Sequence, residues 1–343
     1  MKFLSDRALE RLRGEAQNPD LSGTHYRLLE RVGRGGMGVV YAAEDMQLGR
    51  RVALKVLDVP DETGELEKRL IREARVLARL EHPGIVPVHD VGRLCDGRVF
   101  YAMKFVEGRQ LDDHVNRVKS LPERLRLFLR MCDAVGFAHA RGVLHRDLKP
   151  ANIMIGPFGE VLVMDWGLAK ILPGEPPGEN FTPPTDRSFE PAPPPGPKPQ
   201  VAQTVPTEHG VVLGTPGYMS PEQARGEVGR VDARSDIYSL GAILKFLATA
   251  GKDEAEHNSK RNVPKAVAAI CSKATAEEPG SRYASVQELA ADVSSYLDGL
   301  PVGAYRENML ERAGRFFVRN RAAILLIAAY LLMRIILLIV LRR

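Results

Sequence analysis

His145-Arg146-Asp147-Leu148-Lys149-Pro150-Ala151-Asn152, followed after a short apolar stretch by Asp165-Trp166-Gly167, decides the reading of this 343-residue chain. One Asp and one Asn in a short loop, with a second Asp a strand further on, make a set suited to magnesium on a triphosphate. One carboxylate orients an attacking hydroxyl, while the amide and the other carboxylate take the metal. Two apolar runs, Ile153-Met154-Ile155 and Val161-Leu162-Val163, read as strands framing the metal positions. Just upstream, Leu121 to Ala140 carries the clearest helical pattern in the chain.

Toward the N-terminus, Tyr26 to Leu57 reads as three strands: Arg27 to Val32, Val39 to Ala42 and Arg51 to Leu57. Between the first two lies Gly33-Arg34-Gly35-Gly36-Met37-Gly38-Val39-Val40, which fits G-x-G-x-x-G-x-V. Glycines there let backbone approach phosphate oxygens closely. Strand-type residues on both sides make it a hairpin tip rather than the strand-to-helix turn of a dinucleotide fold. The third strand, Val52-Ala53-Leu54-Lys55, carries a lysine, and a helix follows from about Leu66 to Leu80. On that helix Leu66, Leu70 and Leu77 share one stripe, and Glu73 falls within about 60° of all three. An acid on a buried stripe needs a cation, and Lys55 is the natural one. Further strands are expected at Val86 to Leu94 and Val99 to Val106, with helical patterning again from Ser235 to Asp298.

Charge is uneven. Gly303 to Arg343 holds eight Arg and two Glu against a whole-chain net of +5, so the rest is nearly neutral. The basic character belongs to the tail and gives no support to nucleic-acid binding by the body. Cys95, Cys132 and Cys271 are scattered without metal-ligand spacing, as in a reducing compartment. Met1 to Asn18 is charged throughout and reads as no signal peptide. Ala322 to Leu341 is apolar except for Arg334, long enough as a helix to span about 30 Å. Arg315, Arg319 and Arg321 precede it, which places that side in the cytoplasm. The expectation is a tail-anchored, single-pass protein of the cytoplasmic membrane.

Pro173 to Pro206 holds twelve of the 24 prolines and few large apolar residues. It reads as a disordered or polyproline insert, open to a partner that binds proline-rich ligands.

The joint pattern resembles the Hanks-type, eukaryotic-like protein kinases, and more closely their bacterial serine/threonine members, over Tyr26 to Asp298. The resemblance implies an α+β, two-lobed protein kinase fold with a β-rich N-lobe and a helical C-lobe, using ATP with Mg2+ or Mn2+. The expected layout is a leader (1–24), N-lobe (25–107), C-lobe (108–299, with 173–206 inserted), basic juxtamembrane segment (300–321) and transmembrane helix (322–341). By resemblance Asp147 is the catalytic base, Lys149 neutralises the transferring phosphoryl group, and Asn152 and Asp165 bind metal. Lys55, paired with Glu73, contacts the α- and β-phosphates. Nucleotide would lie against Gly33, Arg34, Gly35, Gly36, Met37, Gly38, Val40 and Ala53. Met103 would be the gatekeeper, and the backbone from Lys104 to Val106 would bond the adenine. Glu222 would pair with Arg282, and Asp236 would brace the catalytic loop. Lys149 and the run Gly214 to Glu222 imply transfer to Ser or Thr hydroxyls of proteins, with autophosphorylation. Arg146 implies control by phosphate on the activation segment, on Thr182, Thr185, Ser188, Thr204 or Thr207. Thr215 is expected to touch Asp147 instead. The rival readings are an ATP-binding pseudokinase scaffold at the membrane and a small-molecule phosphotransferase.

Three departures stand out. Trp166 replaces the usual Phe, the Pro-rich insert lengthens the activation segment, and the usual Gly-x-x-Pro-Phe stretch is missing between Gly241 and Arg282. The stretch Thr249 to Asn262 is short and polar, which bears on how a protein substrate docks.

Overall fold

The computed structural model describes residues 18–34, 38–58, 63–118, 120–171, 215, 217–250, 263–306, 308–309, 325–327 and 329–334. Gly35, Gly36, Met37, the Pro-rich insert and the five candidate phosphorylation positions lie outside the described residues, as do 251–262 and much of 322–341.

The N-lobe is an antiparallel sheet of β1 (Tyr26–Arg34), β2 (Gly38–Asp45), β3 (Arg50–Leu57), β4 (Val88–Arg93) and β5 (Val99–Lys104), ordered β1-β2-β3-β5-β4. Register shifts between Leu28 and Glu30 and between Arg31 and Gly33 interrupt the β1–β2 ladder. Such bulges add twist and bend a hairpin near its tip, here the glycine-rich one. From Val52 to Leu57 every residue of β3 is buried, because both faces of the sheet are covered. On one face Tyr26, Tyr41, Leu54, Val56 and Phe100 form a core of their own, joined by Leu21. Leu21 falls in the stretch expected to be a leader, yet its side chain is 8% exposed. A lone apolar residue gives no period to read, which is why it was missed.

The other face packs against α1 (Glu65–Ala78), an amphipathic helix with Leu70, Glu73, Ala74, Val76 and Leu77 buried. The helix stops two residues short of Leu80. The Arg79 and Leu80 N–H groups turn back to the carbonyls of Val76 and Leu77, tightening the last turn ahead of Pro83.

The C-lobe is built on α3 (Leu121–Ala140) and α5 (Ala233–Thr249), both with long buried faces, with α6 (Lys265–Ala274) and α7 (Val286–Leu297) packed on them. Short α2 (Leu111–Val115) and α4 (Pro221–Ala224) complete its described helices. At the top lie short strands: β6 (Arg109–Gln110), β8 (Ile153–Ile155) and β9 (Val161–Val163) in one sheet, with β7 (Val143–Leu144) beside β10 (Lys170–Ile171). The loop after β7 and the loop after β9 therefore emerge side by side beneath β3 and α1. Buried Arg124 of α3 donates to the carbonyls of Leu247 and Ala250, satisfying the C-terminal end of α5 where the chain leaves it.

Residues 325–327 and 329–334 are helical, with Leu325, Leu326, Ile327, Leu331 and Leu332 exposed. Among the described residues no helix is long and apolar enough to cross a membrane, and most of the expected span lies beyond them.

Candidate active site

Strand β3 delivers Lys55 and helix α1 delivers Glu73 to the same buried point. Lys55 Nζ donates to Glu73 Oε1 at 2.7 Å and Oε2 at 2.8 Å, and to Asp165 Oδ1 at 3.3 Å. Burial works against the ammonium, yet the Glu73 and Asp165 carboxylates outweigh it and raise the Lys55 pKa. Opposite Lys55 in the β3–β5 ladder sits Tyr101, whose hydroxyl donates to Glu73 Oε1 at 2.9 Å. Burial, then the Glu73 charge, pushes the Tyr101 phenol well above its ordinary value, so it stays a donor. The sequence reading missed Tyr101. Counting back two from Met103 would have found it, because alternate strand residues share a face.

Two loops bring Asp147, Asn152 and Asp165 to the cleft, and both are strained. Among the described residues only Arg146 (φ 69°) and Asp165 (φ 56°) are non-glycine residues in the left-handed region. Each costs about 1–3 kcal/mol and persists only where neighbours over-determine it. For Arg146 the neighbours are evident. Asp236, at the N-terminal end of α5, accepts from the backbone N–H of His145 at 2.9 Å and of Arg146 at 2.8 Å. His139 Nε2 holds Asp236 Oδ2 at 2.7 Å, and Gln223 Nε2 donates to the Arg146 carbonyl at 2.8 Å. Burial opposes the Asp236 charge, but the bond from His139 and these backbone donors hold its pKa below the ordinary value. His139 and Gln223 carry no motif spacing of their own, so nothing in the sequence pointed to them.

That brace presents Asp147. Its Oδ2 accepts from Lys149 Nζ at 2.8 Å, and its Oδ1 accepts from the Thr215 hydroxyl at 3.2 Å. Lys149 Nζ also reaches Thr215 Oγ1 at 2.8 Å, closing a triangle of carboxylate, ammonium and hydroxyl. Asn152, buried on one turn of 3-10 helix (Pro150–Asn152), spends its N–H groups on the Asp147 carbonyl at 2.8 Å and on Asp147 Oδ2 at 3.3 Å. Its amide oxygen is left for a cation. Asp165 is the exposed member of the set at 46%, and Lys55 leads the charges that outweigh burial and lower its pKa.

The donor set fits magnesium with nucleotide phosphates. Mg2+ takes hard oxygen ligands and is commonly bound by one or two protein groups together with phosphate oxygens, the pairing Asp165 and Asn152 offer. Lys55 adds a fixed cation for phosphate. Above them, Gly38 lies so close to β3 that a Cβ would meet the Val56 carbonyl oxygen at 2.2 Å, so only glycine starts β2 there. Gly33 and Val40 pair across the hairpin, and Arg34 at its end forms an ion pair with Asp58. Ala53 lies opposite buried Met103, after which the chain leaves β5 at Lys104. Lys104 gives its N–H to the Pro87 carbonyl at 3.1 Å, and Val106 lies outside the strand.

Below the cleft, Glu222 of α4 and Arg282 form a fully buried, two-pronged pair at 2.8 Å on each arm. Against the cost of burial, bonds from Arg282 and Ser235 hold the Glu222 pKa down to about 2.

A family model described as a protein kinase domain matches residues 26–298. The serine/threonine-protein kinase PknD of Protochlamydia amoebophila is 33% identical over 326 residues, covering 84% of this chain and 31% of that protein. PknD of Chlamydia felis is 35% identical over 309 residues, 80% of this chain and 31% of its own length. The chain thus spans about a third of the length of these relatives. Among solved structures, the Mycobacterium tuberculosis PknI kinase domain superposes with a TM-score of 0.52 at 26% identity, covering 79% of this chain and 96% of that one.

Proposed function

Because the chain belongs to the protein kinase family, we propose that it is a serine/threonine protein kinase that moves the γ-phosphoryl group of ATP to protein Ser and Thr hydroxyls. The observation that carries this reading is the Asp147–Lys149–Thr215 triangle, in which the Asp147 carboxylate already holds a hydroxyl beside a cation. With a substrate hydroxyl in that position, Asp147 orients it for in-line attack and accepts its proton. Lys149 neutralises charge on the phosphoryl group, and Lys55 holds the remaining phosphates. Asp165 and Asn152 would hold Mg2+, which would supply neutralisation of the negative charge on the phosphates. The formed Lys55–Glu73 pair speaks for an assembled catalytic set and against a scaffold with a broken one.

Regulation by phosphate belongs to the same reading. Arg146 Nε is the buried side-chain atom without a hydrogen-bond partner among the described residues. Burial first, with repulsion from Arg72, lowers the Arg146 pKa, and Lys170 is lowered by burial and by Arg146. Cations that gather with a buried donor unsatisfied suit a phosphate on the activation segment, from autophosphorylation at Thr182, Thr185, Ser188, Thr204 or Thr207. The apolar run 322–341, flanked by Arg315, Arg319 and Arg321, supports a membrane-held tail with the catalytic domain on the cytoplasmic side. The full chain should stay with membranes in alkaline carbonate, and its release would remove the anchor.

The test is transfer of labelled phosphate from ATP–Mg2+ by the full chain beside Asp147→Asn, with the labelled residues identified. Label on Ser or Thr that falls by about a thousandfold in Asp147→Asn is the expected result. A wild-type chain that binds ATP but labels no protein would overturn the reading.

A further inference from the structure

A cavity of about 550 Å³ opens to solvent between α3, α7, the turn at His82 to Gly84 and the turn that joins β8 to β9. Buried Cys132 and Val161 form part of its lining, and exposed Arg130 and Asp133 of α3 stand at its edge with Glu160. Two residues before Glu160 comes Phe158, 94% exposed, the most exposed large apolar side chain among the described residues.

Single apolar residues on a surface are ordinary. Phe158 differs in how firmly it is held out. The Gly156 N–H donates to the Glu160 carbonyl at 2.9 Å and the Gly159 N–H to the Gly156 carbonyl at 3.0 Å. The Phe158 N–H itself donates to Glu160 Oε2 at 3.0 Å, and Arg130 reaches across from α3 to the Gly159 carbonyl. A tip already fixed in this way loses little freedom when it is buried, which suits an anchor at an interface.

A projecting ring beside a cavity makes one surface both plug and socket. A cavity of about 150 Å³ is enough to take benzene, so this one has room for a phenyl ring. The charges at its edge are self-complementary too. Arg130 and Asp133 lie three residues apart, on one face of α3. The Asp133 carboxylate makes no hydrogen bond or ion pair among the described residues. Two copies of α3 run antiparallel about a two-fold axis would set each Arg130 opposite the other copy's Asp133. A two-fold contact requires that reciprocity, because residue i meets j wherever j meets i.

We propose that two copies of this chain pair through this face, each placing Phe158 in the other's cavity and Arg130 against the partner's Asp133. Such pairing needs neither nucleotide nor phosphoryl transfer, so it stands or falls apart from the proposed function.

The test is sedimentation equilibrium of the full chain over a concentration series, in detergent matched to the solvent density. Wild type should reach a dimer. Phe158→Ser should raise the dissociation constant by about thirtyfold or more, the loss expected of an aromatic anchor. Its ring is exposed, so the variant should unfold at the wild-type temperature. Arg130→Glu makes both positions negative and Asp133→Arg makes both positive, so each variant alone should stay monomeric where wild type pairs. Mixed in equal amounts they should form a heterodimer, because every contact then joins opposite charges. A wild type that stays monomeric throughout would overturn the pairing and leave the face to a different partner. A dimer that Phe158→Ser does not weaken would overturn it as well, and so would charge variants that pair no better mixed than alone.

Discussion

Two buried ion pairs lie in the two lobes and are built to opposite ends. Arg282 is closed: its fork takes both oxygens of Glu222, and its other N–H groups go to the carbonyls of Ala276, Arg234 and Glu277, over the ring of Tyr238. Nothing in that arrangement is left to offer a ligand. Lys55 is open. Two of its bonds go to buried Glu73, and the third and longest goes to a carboxylate that faces the cleft. A planar guanidinium can be satisfied on all sides by fixed acceptors, whereas an ammonium on a flexible stem can trade one acceptor for another. The difference teaches that a buried pair serves the fold when its donors are exhausted, and serves chemistry when one contact can be exchanged for phosphate.

Deleting the closed pair should give the largest change in stability. Arg282→Met leaves Glu222 buried without its cation and should cost about 3–5 kcal/mol by denaturant unfolding. The paired variant Arg282→Met with Glu222→Leu should recover much of that loss, because a buried pair replaced by apolar side chains is often neutral.

Acid should act through the same site. Glu222 falls from its ordinary 4.5 to about 2 on folding, so its contribution is present in full above about 4.5 and is lost as pH falls from there toward 2. The loss amounts to about 3 kcal/mol, and it should vanish from the pH–stability curve of the Arg282→Met, Glu222→Leu variant. A curve of the same slope in that variant would move the acid sensitivity elsewhere.

The smallest effect belongs to the open pair's outer support. Tyr101→Phe removes one bond to Glu73 and should cost about 1 kcal/mol of stability, with a modest rise in KM for ATP, because Lys55 still holds both carboxylate oxygens. A loss as large as that from Arg282→Met would make Tyr101, rather than Lys55, the main partner of Glu73.

How far these sites could be read from the sequence follows from what carries a period or a spacing. Glu73 was legible because it breaks an apolar stripe on α1, and the strands β1 to β3 because glycines and turn residues punctuate them. The C-lobe pair of Glu222 and Arg282, sixty residues apart, came only through resemblance, since no local pattern joins them. The left-handed backbone at Arg146 and Asp165 was not legible at all. Neither residue type signals it. At Arg146 tertiary hydrogen bonds to Asp236 and Gln223 impose it, and at Asp165 the flanking residues Met164 and Trp166 are each tied by hydrogen bonds. The missing Gly-x-x-Pro-Phe stretch was visible as a departure, but what closes the end of α5 was not: buried Arg124 comes from a distant helix.

The most direct test of the contrast places Lys55→Met and Arg282→Met side by side, measuring unfolding free energy and single-turnover phosphoryl transfer on the same preparations. The account predicts that Lys55→Met lowers transfer by about 10²–10³-fold, more than its loss of stability explains. Arg282→Met should instead lose stability while its folded fraction transfers phosphate within about tenfold of wild type. Near-wild-type transfer by Lys55→Met would contradict the account and leave both pairs as parts of the fold alone.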